Sequence, residues 1–535
     1  MNGSWSGFFP FFTRPSLPAF TTALIGAAGL FFGMANPLLQ IPILVLAYPA
    51  ALALLGQTAP DHPSALRRGW LCGLSGASAC LYWIAVPVHT VAGQPLPLAI
   101  SFALLLGAYI GLYGGLFSLL SHIIRTLPLR RRALLLGLGW FLLECLRNWL
   151  FTGFPWLPLA AAFVPWPTWI QACALFGAYG LGGLLAGLSC LALAGLTERG
   201  NRLKALAGVQ LILIPLLAFG LWRLEKPAPT DTDQEVCVAL IQGNIDQNQK
   251  WDHNLLEHTL EVYTRLSSSL TGPSGQRPDL VIWPETAMPF DYREHPLAKR
   301  LRTYSLEHNF WLLFGAPGWN RSSGTNKLFN RAYLIGPDGR NQDYYEKEHL
   351  VPFGEYVPPW LDLPFLRPLL QDIGDFAPGR VVHPLSLTLR AGTETQGTLA
   401  LGILICYETI FPELSWQRAA DGAAILINIS NDAWFGKTSA PEQHLQLSAL
   451  RAVEQGRYLA RGTNTGISAI VDPFGRIVVR GELFVAGAVS GAVRPCSDRT
   501  VFFQLFPWLL PTGAVIFGLL LRFPRRPARN SNPEC

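Results

Sequence analysis

Apolar runs long enough to cross a bilayer recur at 18–35, 40–56, 69–89, 97–121, 133–150, 169–196, 205–222 and 501–521. Pro and Gly interrupt the first two. Between the seventh and eighth runs the pattern changes. Residues 236–242 (Val-Cys-Val-Ala-Leu-Ile-Gln) predict a strand, 254–270 a helix, 279–283 a strand and 296–309 a helix. Strands follow at 310–316 and 331–336. Residues 399–406 predict a buried strand, 409–420 a helix, 423–429 a second buried strand and 441–460 a long helix. Residues 467–480 read as a hairpin turning at Asp472-Pro473-Phe474-Gly475. Strands alternating with helices imply an α/β fold whose sheets are covered by helices. The polar, Pro-containing stretch 225–233 marks the boundary. The expected organisation is therefore a helical membrane block over 1–222, a globular domain over 223–500, and a last span with a basic tail over 501–535.

Composition agrees with a membrane protein. Of 535 residues, 50% are hydrophobic and only 14% charged. The net charge of +6 sits in clusters beside the spans, which argues against a nucleic-acid partner. Arg67 and Arg68 follow the second run, and Arg125, Arg130, Arg131 and Arg132 the fourth. Arg199, Arg202 and Lys204 follow the sixth, and Arg522, Arg525, Arg526 and Arg529 the eighth. The alternate loops at 36–39, 90–96 and 151–168 carry no Lys, Arg, Asp or Glu. By the positive-inside rule this places both termini in the cytoplasm and the globular domain on the outer side. Glu144 and Arg147 share a face of the fifth span. Two readings stand: a self-neutralised pair with Arg147 snorkelling, or contact with a lipid headgroup or with the globular domain.

The nine cysteines show neither metal-ligand spacing nor a disulfide framework. Cys72, Cys80, Cys145, Cys173 and Cys190 fall inside apolar spans, where they serve as small buried hydrophobes. A Cys237–Cys496 bridge is conceivable outside the cytoplasm. No zinc spacing and no phosphate-binding glycine loop occurs, so no metal or cofactor is expected.

Cys406 is different. It ends the apolar run Gly402-Ile403-Leu404-Ile405, with Tyr407-Glu408 following. Glu285 ends another strand in Trp283-Pro284-Glu285, and Lys347 lies in Glu346-Lys347-Glu348-His349. A carboxylate, an ammonium and a thiol suffice for acyl transfer. The base makes the thiolate, the thiolate attacks a carbonyl, and the ammonium and the Tyr407 N–H hold the oxyanion. Glu355 is placed to orient Lys347 or to assist with protons. Taken singly each residue has a bland reading: a structural thiol, a surface carboxylate, a solvated lysine.

In combination these segments resemble the three signature segments of the nitrilase superfamily, whose fold is an αββα sandwich with a Glu-Lys-Cys triad. With Gly153-Phe154-Pro155-Trp156, Asn428–Gly436 and the membrane block, the chain resembles the apolipoprotein N-acyltransferase family over essentially its whole length. That resemblance implies a bacterial inner-membrane enzyme. Its donor is a membrane phospholipid and its acceptor the α-amino group of a diacylglyceryl-cysteine apolipoprotein. It matches Glu285 to the base, Lys347 to the oxyanion lysine, Cys406 to the nucleophile and Glu355 to an additional active-site glutamate. It matches Tyr407 and Glu408 to the nucleophile's neighbours and Trp251 to a substrate-contacting tryptophan. Glu454 also matches a position the family needs, against the bland reading of a helix-surface ion pair with Arg451 or Arg457. Trp156, Trp434 and Phe435 are expected beside the site. A monomer embedded in the bilayer is expected. Residues 357–370 are apolar and Pro-rich, and two readings stand: a lid that dips into the outer leaflet, or a buried core loop. The rivals are a membrane-tethered amidase that uses water as acceptor, and a non-catalytic lipid or lipoprotein carrier.

Overall fold

The computed structural model describes residues 17–231, 235–247, 250, 253–268, 277–320, 327–358, 374–391 and 394–522. Among them, five helices are long and apolar enough to cross a membrane. They are α5 (Leu96–Ile123), α6 (Leu129–Trp149), α8 (Cys173–Thr197), α9 (Arg202–Leu224) and α14 (Val501–Arg522). A sixth span forms if α3 (His62–Cys80) and the short α4 (Ala85–Thr90) are taken together across a 59° bend. The first two apolar runs form shorter helices, α1 (Leu17–Gly33) and a 3-10 turn leading into α2 (Ala47–Gln57). The protein is thus a polytopic membrane protein.

Two span boundaries differ from expectation. Helix α3 starts at His62, where the Asp61 side chain accepts the Ser64 N–H at 2.8 Å. This N-cap draws Arg67 and Arg68 into the helix instead of leaving them in a loop. The run at 169–196 is not one continuous helix. It begins as α7 (Pro167–Ile170), restarts at Cys173, and Gly177 then adopts φ +71°. The Phe502 ring of α14 lies 2.3 Å from where a Gly177 Cβ would stand, so the break admits a neighbouring helix.

For the Glu144–Arg147 pair, the structure contradicts the snorkelling of Arg147. Both side chains are buried, so Arg147 does not snorkel. Glu144 accepts hydrogen bonds from the Trp140 indole at 2.9 Å and the Leu159 N–H at 3.0 Å, while Arg147 stands 4.0 Å away.

The globular part is built from two six-stranded sheets. The first has the order β12-β1-β2-β3-β4-β5: Gly487–Val493, Val236–Gln242, Leu280–Ile282, Trp311–Asn320, Lys327–Ile335 and Asn341–Glu346. The second has the order β11-β10-β9-β8-β7-β6: Ile477–Arg480, Ala469–Val471, Leu459–Thr463, Ile425–Ser430, Glu394–Ile405 and Leu385–Ala391. Each sheet has a parallel centre (β1-β2-β3 and β7-β8-β9) flanked by antiparallel strands. The period of two assigns the faces. Val236, Val238 and Leu240 of β1 meet Leu401, Ile403, Ile405, Ile425, Ile427 and Ile429 of the other sheet. The alternate residues Ala239 and Ile241 pack under α10 (Leu256–Ser268) and α11 (Ala298–His308). Leu404 and Leu426 face α13 (Ala440–Gln455), behind α12 (Pro412–Ala420). Strands buried on both faces read as continuous apolar runs.

The layers are therefore helix, sheet, sheet, helix, which is the αββα sandwich expected. The fourth layer is shared, because α12 and α13 belong to one apolar core with the membrane helices. The long helix anticipated at 441–460 stops at Gln455, where Gly456 takes φ +66° and the chain turns into β9. Cys237 and Cys496 are buried free thiols, so the conceivable bridge is not made.

Candidate functional site

Glu285 follows β2 and Cys406 follows β7, both parallel central strands, so their side chains emerge at strand C-terminal ends. Ligand sites form at such ends in α/β sheets. Lys347 follows β5 at the edge of the first sheet. All three converge. Lys347 Nζ lies 3.4 Å from Glu285 Oε1 and 2.8 Å from Glu355 Oε1. Asn330 of β4 donates to Glu285 Oε1 at 2.7 Å and to Glu355 Oε1 at 3.1 Å. The Asn431 N–H donates to the other oxygen of Glu285 at 2.9 Å, and the Val351 N–H to the other oxygen of Glu355 at 2.8 Å. Lys347 is 1% exposed, so the solvated reading of it fails. A buried charge must be paired, and two carboxylates pair this one.

Burial pulls the Lys347 ammonium down, but the Glu355 and Glu285 carboxylates outweigh it, and its pKa is raised. The lysine stays charged. Burial pushes the Cys406 thiol up, and the Glu285 charge pushes it further, against the opposing pull of Lys347. The thiol is therefore protonated at rest and needs a base. Cys406 has φ +52°, a left-handed conformation that costs a non-glycine residue about 1–2 kcal/mol. Such strain persists only where surroundings over-determine it.

Glu408 is one of those surroundings. Fully buried, it accepts the Tyr345 hydroxyl at 3.0 Å, the Glu348 and His349 N–H groups at 2.7 and 3.1 Å, and the Ile405 N–H at 2.7 Å. It thereby joins the segment carrying Lys347 to the turn carrying Cys406. Burial pushes its carboxyl up to about 7, against the pull of Arg418 and the Ile405 N–H. Arg418 in turn donates to the Tyr345 hydroxyl at 2.9 Å and pairs with Glu348.

Of the other expected residues, the structure describes all but Trp251. The Tyr407 hydroxyl donates to the Gly153 carbonyl of the membrane block at 2.9 Å. Trp156, buried, stacks on Phe154 and lies beside His444 and Phe435. Phe435 and Trp434 lie in the 3-10 turn after β8, and the Phe435 ring contacts Trp83. Glu454 is not on a helix surface. It is fully buried, pairs with Arg451 at 3.0 Å, and accepts the Ala178 N–H at 2.7 Å, beside the break in α8. Trp251 lies outside the described residues, as does all of the 357–370 segment except Val357 and Pro358.

Several residues at the site were not singled out from sequence. Asn330 carries no local signal, being one polar residue in a strand. Lys250 is buried and donates to the Thr286 hydroxyl at 2.6 Å and the Glu285 carbonyl at 3.1 Å. Burial pulls its ammonium down to about 7, against the Glu285 and Cys406 charges. The adjacent Gln-Lys-Trp tripeptide was the available signal. His444 is the third such residue, an imidazole on the buried helix α13.

Known proteins resemble the chain over both parts. The carbon-nitrogen hydrolase family model matches residues 237–495, and that of the apolipoprotein N-acyltransferase N-terminal domain matches 27–191. An apolipoprotein N-acyltransferase from Geobacter metallireducens is 35% identical over 90% of this chain and 91% of its own. One from Azotobacter vinelandii is 33% identical over 96% of this chain and 98% of its own. Among solved structures, an amidase from Nesterenkonia sp. aligns at 21% identity over 51% of this chain and 94% of its own, with a TM-score of 0.37. On the full-length sequence matches, the chain belongs to the apolipoprotein N-acyltransferase family.

Proposed function

We propose that this protein transfers an acyl chain from a membrane phospholipid, through a thioester on Cys406, to the α-amino group of a diacylglyceryl-cysteine apolipoprotein. The observation that carries the reading is a buried carboxylate–ammonium pair converging on a strained, protonated cysteine, in a sandwich fused to membrane helices. Glu285 takes the proton from the Cys406 thiol, and the thiolate attacks the ester carbonyl. Lys347 and the Tyr407 N–H hold the resulting oxyanion. The carbon–oxygen bond then breaks, Glu285 returns the proton to the departing alkoxide, and lysophospholipid leaves. The neutral amine of the acceptor attacks the thioester. Glu285 accepts its proton and passes it to the Cys406 thiolate as that group leaves, so an amide remains. Asn330 and Glu355 keep Glu285 and Lys347 in register. The family and the loop charges support a bacterial inner membrane location, with cytoplasmic termini and the sandwich on the periplasmic side. Trp251, Trp434 and Phe435 are placed by the reading among substrate contacts.

The test is intact mass of the purified full-length protein in detergent, incubated with phospholipid. A hydroxylamine-labile acyl adduct on Cys406 is expected, discharged by a diacylglyceryl-cysteine peptide and missing in Cys406→Ala. Release only as free fatty acid would show a hydrolase. No adduct on folded protein would sink the reading.

A further inference from the structure

We propose that His444 is a positioning residue for acyl transfer: its Nε2–H holds the carbonyl of Cys406 and thereby aims the N–H of the same peptide bond, that of Tyr407, at the oxyanion. The inference rests on the acyl-transfer reading above and deepens it.

The geometry runs through three shells. His444 Nε2 lies 3.2 Å from the Cys406 carbonyl oxygen. The proton is on that nitrogen because the carbonyl oxygen facing it can only accept, while Nδ1 stands 3.0 Å from the Arg461 Nη2 donor and 3.2 Å from Asp432 Oδ1. Arg461 also donates to Asp432 Oδ2 at 2.7 Å and to the Asn428 side-chain oxygen Oδ1. Asn428 donates onward to the Leu404 carbonyl at 2.9 Å and, more loosely at 3.4 Å, to that of Cys406. Asp432 is held in turn by the Ser430 hydroxyl at 2.8 Å. His444, Arg461, Asp432 and Asn428 are at most 1% exposed. Burial, and the Arg461 charge after it, hold the imidazole pKa below its ordinary value, so the ring stays neutral and keeps this tautomer.

A peptide bond is planar and trans, so its C=O and N–H point in opposite directions. Fixing the Cys406 oxygen therefore fixes the Tyr407 N–H. That N–H stands in the first turn of the 3-10 helix Cys406–Ile410, where amides have no partner within the helix. A donor on the carbonyl also polarises the peptide and strengthens its N–H as a donor. This explains why the strained φ of Cys406 is maintained: the unusual backbone turns its peptide plane, and His444 locks that plane.

The experiment compares two reactions of the same thiol in full-length protein. Acylation by phospholipid passes through an oxyanion, whereas alkylation by iodoacetamide needs only the thiolate. His444→Ala is expected to slow acylation about 10- to 100-fold, less than the roughly 100- to 1,000-fold that removing an oxyanion donor outright costs, because the Tyr407 N–H remains but is no longer held. Its alkylation rate and alkylation pH profile should stay within about twofold of wild type. His444→Gln, whose amide places an N–H near Nε2, should recover most of the acylation rate and guards against a folding defect in the alanine variant. Equal slowing of both reactions, or acylation at the wild-type rate in His444→Ala, would overturn the proposal. Wild-type protein that alkylates but never acylates would instead overturn the acyl-transfer reading, and this inference with it.

Discussion

Gly315→Ala is the sharpest probe of how Glu285, the proposed base, is held. Gly315 of β3 packs directly on the turn that carries Glu285. Its N–H donates to the Pro284 carbonyl at 3.1 Å, and its carbonyl accepts the Met288 N–H at 3.1 Å. A Cβ built on it would lie 2.4 Å from the Thr286 nitrogen, 2.7 Å from the Glu285 Cα and 2.8 Å from the Pro284 oxygen. Ordinary contact begins near 3.4 Å, so the worst pair must open by 3.4 − 2.4 = 1.0 Å. All three obstacles are backbone, which cannot swing aside as a side chain does. Thr286 already has φ +45°, and Lys250 donates to its hydroxyl at 2.6 Å. Displacement therefore falls on Glu285 itself, whose bonds to Asn330 and Asn431 are 2.7 and 2.9 Å long. Misplacing a reacting group by about 1 Å costs roughly 100-fold in rate, and overpacking costs about 1–3 kcal/mol. Acyl-enzyme formation, followed by mass spectrometry, should drop about 100-fold. Thermal unfolding in detergent should show only that modest loss, with the Cys406 thiol still present. A Gly315→Ala protein that acylates at more than about a third of the wild-type rate would refute the argument that this contact sets the base.

Glu408→Gln replaces one acceptor oxygen by a donor that faces buried N–H groups. We expect a loss of about 2–4 kcal/mol, the cost of a charge-assisted bond and a stranded amide, read as a lowered unfolding temperature at pH 8; a shift under 1 °C would contradict it. Glu454→Gln leaves the buried Arg451 without its counter-charge, which should cost about 3–5 kcal/mol and fail to be rescued by added phospholipid. Lys250→Met tests linkage. With a pKa of about 7 when folded against about 10.5 when free, the unfolded chain binds more protons between these values. Wild-type stability should therefore rise with pH across that window, by up to about 1.4 kcal/mol per unit, relative to the methionine variant. Unfolding curves of the two proteins that run parallel from pH 7 to 9 would exclude the shift.

Much of this architecture was legible because its signals are local. The buried strands β1, β7 and β8 announce themselves as apolar runs, and the hairpin after β9 by Asp472-Pro473-Phe474-Gly475. Glu285 and Cys406 were legible as strand-end residues, and Lys347 by the charged segment around it. What stayed hidden depends on distant partners. Nothing near Asn330 says that two carboxylates will meet its amide. The end of α13 was misplaced because Tyr458–Ala460 continues an apolar helical pattern, while only the parallel pairing of β9 with β8 makes it a strand. For Glu454 the bland alternative was a surface ion pair, because its helix has polar residues on every side. Those residues are buried because the membrane block covers the face that water would otherwise occupy.

That cover bears on mechanism. Helix α13 lies between the second sheet and the membrane helices, and it is tied to both at each end. Near its start, Gln443 spends its whole amide on the membrane block and its own first turn. Its oxygen accepts the indoles of Trp83 and Trp156 at 3.0 and 2.8 Å, and its nitrogen donates to the Ala35 and Cys80 carbonyls at 2.9 and 3.1 Å and to the Ser439 hydroxyl at 3.3 Å. The next residue, His444, places Nε2 3.2 Å from the Cys406 carbonyl oxygen. Near its end, Glu454 accepts from Ala178 of α8, and its partner Arg451 donates to the Ile410 carbonyl at 3.2 Å, at the close of the turn that Cys406 opens. At both ends one residue grips the membrane part while a near neighbour grips the segment of Cys406. A buried amide or ion stripped of its partners costs several kcal/mol, so the sandwich cannot slide against the membrane block without disturbing the nucleophile. The geometry of the proposed oxyanion site is thereby made conditional on the sandwich being seated on the membrane helices. For an enzyme whose thioester water would otherwise hydrolyse, that condition favours reaction only where lipid is at hand.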